Sequence, residues 1–191
     1  MICLTRRCGA WLPQVCSLFR ASDRTPREAP IPLDAELINA FLSAVQTVLV
    51  QETGVSATRE SRPGIDRSTT TPYEITAIIG ITGDIAGMVM ISMPKETALR
   101  FYSAVMGEER AEADSIVASA IAEFTNTVSG TAAIALDDKG LSADISPPVV
   151  IHGKGASVST LDLPRIAVPL RTGIGPMTIE LAIAKVSPAS G

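Results

Sequence analysis

The sequence predicts an α+β domain, a mostly antiparallel sheet with long helices packed on one face. Three observations carry this. Two β-rich runs, 73–81 and 85–93, flank the turn signal Thr82-Gly83-Asp84 and read as a hairpin. Stretches beginning near Asp34, Lys95 and Ser115 show helical spacing of apolar residues. The last third returns to β character in short segments punctuated by Gly153, Gly155, Gly173 and Gly175.

In chain order, residues 1–30 stand apart. They hold all three cysteines (Cys3, Cys8, Cys16), the only tryptophan and five arginines opposed by only Asp23 and Glu28. The apolar stretch Cys8 to Phe19 is interrupted by Pro13 and Gln14, so the segment reads as a disordered leader or extension rather than a signal peptide. The predicted domain covers 31–187, with a short tail at 188–191. Its first helix is capped by Asp34, carries Leu37, Phe41, Ala44, Val45, Val48 and Leu49, and stops before Gly54. Residues 55–71 form a polar connection or ragged edge strand. After the hairpin, Pro94 opens a helix over 95–106 that Gly107 closes. An acidic loop, 108–114, leads into the longest helix, capped by Asp114 or Ser115 and running to about Asp137. Strands are expected at 144–151, 156–160, 165–170 and 177–186.

A chain of 191 residues suffices for one full core. No run of 18 apolar residues marks a membrane span. The net charge of −4, with no cluster of Lys and Arg interleaved with aromatics, excludes a nucleic-acid footprint. Cysteines confined to the first 16 residues do not make a disulfide scaffold, which favours a reduced, cytoplasmic setting. Their spacing matches no zinc pattern.

The longest helix carries the informative polar residues. With Ser119 at zero and about 100° per residue, Glu123 falls near 40° and Asn126 near −20°, with Gly130 on the same side. Val117, Ile121, Phe124, Val128, Ala132 and Ala135 occupy the opposite side. The helix therefore buries an aliphatic stripe and turns Ser119, Glu123 and Asn126 outward. Asn and Gly each cost up to about 1 kcal/mol against Ala inside a helix, so their presence on the outer face calls for a reason.

The string Ser119-Ala120-Ile121-Ala122-Glu123-Phe124-Thr125-Asn126, followed by Gly130, resembles the Ser/Asp-x3-Glu-x2-Asn signature of the CheC/CheX chemotaxis phosphatases. Three further stretches resemble CheX proteins in the same order: the run into Gly80-Ile81-Thr82-Gly83 with Gly87, Pro94 through Gly107, and Asp144 through Val150 with Gly153. The resemblance spans nearly all of 33–186. It implies the CheC-like fold and hydrolysis of the aspartyl phosphate on a CheY-like response regulator. It also implies that Asn126 orients the attacking water, that Glu123 pairs with the regulator's active-site lysine, and that Ser119 is a supporting contact. No cofactor is implied for this chain, because the regulator supplies its own Mg²⁺. A homodimer joined at sheet edges is implied as well, and the apolar strands 75–81 and 177–186 give it a motive if they lie at edges.

Other readings are weaker. Glu36-Leu37-Ile38-Asn39 repeats the Glu-x2-Asn spacing, but Pro32 stands where Ser or Asp belongs, so a solvent face is expected there. Gly80 to Gly87 lacks the Lys-Ser/Thr of a phosphate loop. His152, the only histidine, reads as structural, and Glu108, Glu109, Glu112 and Asp114 read as a solvated charge run. The rival function is a non-catalytic module of the same fold that binds a response regulator or flagellar switch component, in which Asn126 has no task.

Overall fold

The computed structural model describes residues 35–160 and 163–186. The expectations for the leader, the cysteines, the Asp34 cap and the tail lie outside the described residues. Helix α1 spans Ala35–Thr53, followed by short strands β1 (Ala57–Arg59) and β2 (Gly64–Asp66). The hairpin is β3 (Ile75–Gly83) and β4 (Ile85–Met93); α2 is Lys95–Met106 and α3 is Ser115–Asp137. Strands β5 (Ala143–Ile145), β6 (Val149–His152), β7 (Arg165–Thr172) and β8 (Gly175–Lys185) complete the chain.

One antiparallel sheet runs in the order β1-β7-β8-β4-β3-β5, with β2 also on β7 and β6 also on β3. The hairpin turn is anchored to the chain before β5, where Asp84 N–H donates to the Ser142 carbonyl and Ser142 N–H donates to the Asp84 carboxylate, each at 2.9 Å. Gly87 is needed within β4. Its φ is +140°, and a Cβ there would stand 2.0 Å from the Ala182 carbonyl oxygen of β8. Gly107 ends α2 at φ +71°, with its N–H donating to Ser103 O at 2.9 Å.

Alternate strand residues face the helices. Ile75, Ala77, Val89, Ile91, Val168, Ile179 and Leu181 pack with the inner stripes of α1, α2 and α3 in one core. Phe124 of α3 is fully buried, and its ring lies 4.9 Å from that of Phe101 in α2. Burying a side chain of this size contributes roughly 1.5–3 kcal/mol.

Several expectations need correction. The run 144–151 is not one strand, because Pro147 and Pro148 lack the amide donors a ladder needs and split it into β5 and β6. Residues 156–160 form no strand. They make a single bridge, Thr70 to Ser157, and are tied by hydrogen bonds such as Thr71 N to Ala156 O at 2.9 Å and Val158 N to Thr69 O at 2.7 Å. The apolar strands 75–81 and 177–186 are not edges: β3 lies between β4 and β5/β6, and β8 between β7 and β4. The acidic loop is not merely solvated, since Glu112 pairs with Lys95 and Asp114 caps α3.

The opposite face of the sheet is also buried at its centre, where polar side chains join Met90 and Ala182. Thr76 and Ser92 share a buried hydroxyl contact at 2.9 Å. Arg165 and Glu180, 2% and 1% exposed, face each other with Nε to Oε1 at 3.6 Å, while Arg165 spends a hydrogen bond on Asp66 at 3.1 Å. One guanidinium thus serves two carboxylates. Burial pushes Glu180 up to about 7, Arg165 pulling against that rise and Asp66 adding to it. A carboxyl raised in this way favours the folded state while protonated, so stability is fully present below the ordinary carboxyl range. It falls as pH rises through about 7. We therefore expect denaturation free energy to decline between about pH 5 and pH 8, and Glu180→Gln to flatten that decline and be more stable than the parent at pH 8. A Glu180→Gln variant with the parent's full pH dependence would refute this.

Candidate functional site

The site is built on α3, whose rotational setting is decided by its inner stripe. Val117, Ile121, Phe124, Val128, Ala132 and Leu136 are all buried, and Ala135, expected among them, is half-buried. Asp114 fixes the start of the helix by accepting from Ile116 N at 3.0 Å and Val117 N at 3.1 Å. These backbone bonds, foremost that of Val117, hold its carboxyl below the usual range, with Arg110 helping at 3.2 Å. The capped first turn carries Ser119 and leads into the turn that carries Glu123 and Asn126.

The structure brings the three expected residues to one outer face. Ser119 and Glu123 are exposed and Asn126 is half-exposed. Ser119 turns its hydroxyl back to the Ser115 carbonyl at 2.8 Å, which spends its proton within the helix and leaves its oxygen as an acceptor. Among the described residues, neither the Glu123 carboxylate nor the Asn126 carboxamide has a hydrogen-bond partner. Both are available to a ligand without displacing an internal bond.

A fourth residue, on another helix, lies within electrostatic reach of this face. The ion pair of Lys139, just past α3, with Glu36 at the start of α1 spans 3.0 Å, and the two helices run antiparallel. The last turn of α1 accordingly lies beside the early turns of α3. Glu52, half-buried in that turn, has its carboxyl raised by burial and further by the Glu123 charge. The sequence held a signal for it, since Glu52 continues the buried stripe of α1 one turn after Val48 and Leu49.

The other candidates separate from this face. Glu36 is engaged by Lys139, and Asn39 lies on an open groove of ≈ 560 Å³ between α1 and β1, with Gln46 and Arg59. That groove shares no residue with the Ser119–Asn126 patch. His152 is exposed at the end of β6. Among the described residues no group of three or more His, Cys, Asp or Glu could hold a metal ion, and no helix is long and apolar enough to cross a membrane.

An unengaged Glu and Asn one turn apart on a convex helix suit a ligand that supplies its own cavity. Comparison with known proteins agrees. Residues 75–171 match the family model described as chemotaxis phosphatase CheX. A relative from Thermotoga maritima, named CheY-P phosphatase CheX, is 32% identical over 129 residues, covering 67% of this chain and 83% of the relative. This chain belongs to the CheX family. Among solved structures, the CheC-like superfamily protein from Shewanella sp. PV-4 superposes with a TM-score of 0.73 at 25% identity, covering 81% of this chain and all of that one. CheX in the CheX–CheY–BeF₃–Mg²⁺ complex from Borrelia burgdorferi gives 0.67 at 28% identity, with 78% of this chain and 98% of that one covered. The α+β architecture read from the sequence is thus the CheC-like fold.

The pairing of Glu52 with Glu123 is open to direct measurement. Glu123→Gln should lower the Glu52 titration midpoint toward that of an ordinary carboxyl, followed by NMR of the side-chain carboxyl carbons. An unmoved midpoint would show that the two charges do not sense each other.

Proposed function

We propose that this chain, acting in the cytoplasm, hydrolyses the aspartyl phosphate of a CheY-like response regulator, using the outer face of α3. The observation that carries this reading is the unengaged pair Glu123 and Asn126, on one exposed helical face of a CheX-family chain. The Thermotoga relative is named for CheY-P, and the Borrelia relative is seen with CheY, BeF₃ and Mg²⁺. Beryllium trifluoride stands in general for a phosphoryl group.

The chemistry asks little of this chain. Water attacks phosphorus, its oxygen forms the new bond, the bond to the aspartyl oxygen breaks, and carboxylate and inorganic phosphate leave with the water's protons on the phosphate or solvent. Mg²⁺ and a lysine of the regulator neutralise the phosphoryl oxygens, so the missing element is a correctly placed water. The Asn126 carboxamide both accepts and donates, and it does not titrate, which suits holding a water in line. Glu123, one turn earlier, meets the regulator's lysine and sets the depth of insertion. Ser119 offers its free acceptor at the rim.

The roles divide kinetically. Asn126→Ala is expected to lower kcat by about 10²-fold or more with affinity nearly unchanged. Glu123→Gln is expected to raise KM and make it less sensitive to salt. Phosphate release from a phosphorylated receiver domain is the assay: Asn126→Ala at half or more of the parent rate would sink the water-positioning role, and a parent chain that releases no phosphate would leave a binding-only module as the better reading.

The same reading includes a homodimer. The available edges are the outer sides of β1/β2 and of β5/β6, where Ile65 and Val149 are each 62% exposed. Joining either pair of edges about a two-fold axis satisfies their open backbone groups. Light scattering at ~10 µM should then report twice the chain mass, and a single-chain mass up to ~100 µM would rule the dimer out.

A further inference from the structure

A partner that reaches Asn126 must also pass the residue one turn further along the same face, which is Gly130. Its φ lies outside the left-handed region, so the backbone itself does not require glycine. A Cβ built at this position meets only Ile145 Cδ1, at 4.0 Å, an ordinary contact. Among the described residues nothing packed around it requires glycine either, although glycine is the weakest helix former apart from proline. The missing side chain leaves a notch. One turn beyond it, Ile134 is 68% exposed, and at the other end of the stripe Ile116 is 46% exposed. Scattered apolar residues are ordinary on a surface. These two share one sector of α3 with Glu123 and Gly130, within roughly 40° of arc.

We propose that α3 docks the regulator's receiver domain along the whole stripe Ile116, Glu123, Asn126, Gly130 and Ile134, with Gly130 admitting the partner's chain against the helix backbone and Ile134 anchoring it. This rests on the function proposed above and names how the partner is held. The receiver domain is the occupant because the stripe is continuous with the two residues that must touch the phosphorylated site. From 116 to 134 is 18 residues, or about 27 Å at 1.5 Å each, close to the width of a small domain. An internal reason for Gly130 would leave a close contact around its missing Cβ, and the only neighbour there is the tip of Ile145 at 4.0 Å.

The test uses the full chain and a CheY-type receiver domain that it dephosphorylates, loaded with BeF₃ and Mg²⁺, with affinity measured by calorimetry. Gly130→Ala should raise Tm by about 2–4 °C, as better helix propensity requires, while weakening receiver binding by about tenfold or more. Ile134→Ser should weaken binding by about fivefold or more at unchanged Tm. Gly130→Ala with parental affinity overturns the notch, and so does a fall in its Tm, which would reveal an internal need for glycine. Ile134→Ser that changes the mass of the assembly instead of receiver affinity would assign the stripe to a second copy of the chain and overturn the proposal. Phosphate release separates the levels. A parent chain that releases no phosphate sinks the proposed function itself, full turnover in Asn126→Ala sinks the role given to that residue, and lost turnover with intact binding, alongside a Gly130→Ala chain that binds normally, sinks only the notch.

Discussion

The arrangement depends on the burial of one helical stripe. Val117, Ile121, Phe124, Val128, Ala132 and Leu136 are excluded from water together, so α3 cannot rotate without exposing large apolar side chains. Phe124 against Phe101 pins that rotation to α2, and Asp114 pins the axial start. With inner face and first turn both set, Ser119, Glu123 and Asn126 have only one direction left to point. The outer face is a consequence of the core, and no polar contact is needed to aim it.

Most of this was legible in the sequence because it is periodic and local. Lys95–Met106 has the same bounds in sequence and structure, with Pro94 before it and Gly107 after it. The outward setting of Glu123 and Asn126 follows from 3.6-residue spacing alone. What was not legible depends on residues far apart in the chain. Pro169 is an instance. Its carbonyl accepts from Glu60 N at 3.0 Å, and the neighbouring strand changes from β1 to β2 there, where β7 offers no N–H in return. Pro147 and Pro148 interrupt the opposite margin between β5 and β6 in the same sense. The apolar runs 75–81 and 177–186 would give a dimer its motive only at an edge, yet both strands lie inside the sheet. Strand order is a matter of long-range pairing, which composition does not encode.

The sheet's second face carries the same lesson. Glu180 alternates with Ile179 and Leu181 and looks like a solvent position, but the structure buries it with Arg165. Neither charge is fully satisfied, since Arg165 Nε and Nη1 and Glu180 Oε2 lack hydrogen-bond partners among the described residues. A buried pair of this kind is weak evidence for stability, because desolvation offsets the mutual attraction. Glu52 is the complementary case. It sits on an inner stripe that the sequence displayed, and only the neighbouring helix gives its position meaning.

The outer face of α3 has features that internal stability does not explain. Asn126 and Gly130 weaken the helix, Ile116 and Ile134 leave apolar surface in water, and Glu52 beside Glu123 places like charges together. Each is unfavourable for the isolated chain, and each becomes favourable against one kind of surface. A carboxamide finds a water to hold, a notch finds a chain to admit, exposed isoleucines find cover, and two carboxylates find a cation. On the function proposed, the surface that meets these needs together is a receiver's phosphorylated pocket, with its lysine and bound cation. Local conflicts that gather on the outer face of a helix whose apolar stripe is fully buried are what a binding site costs a fold.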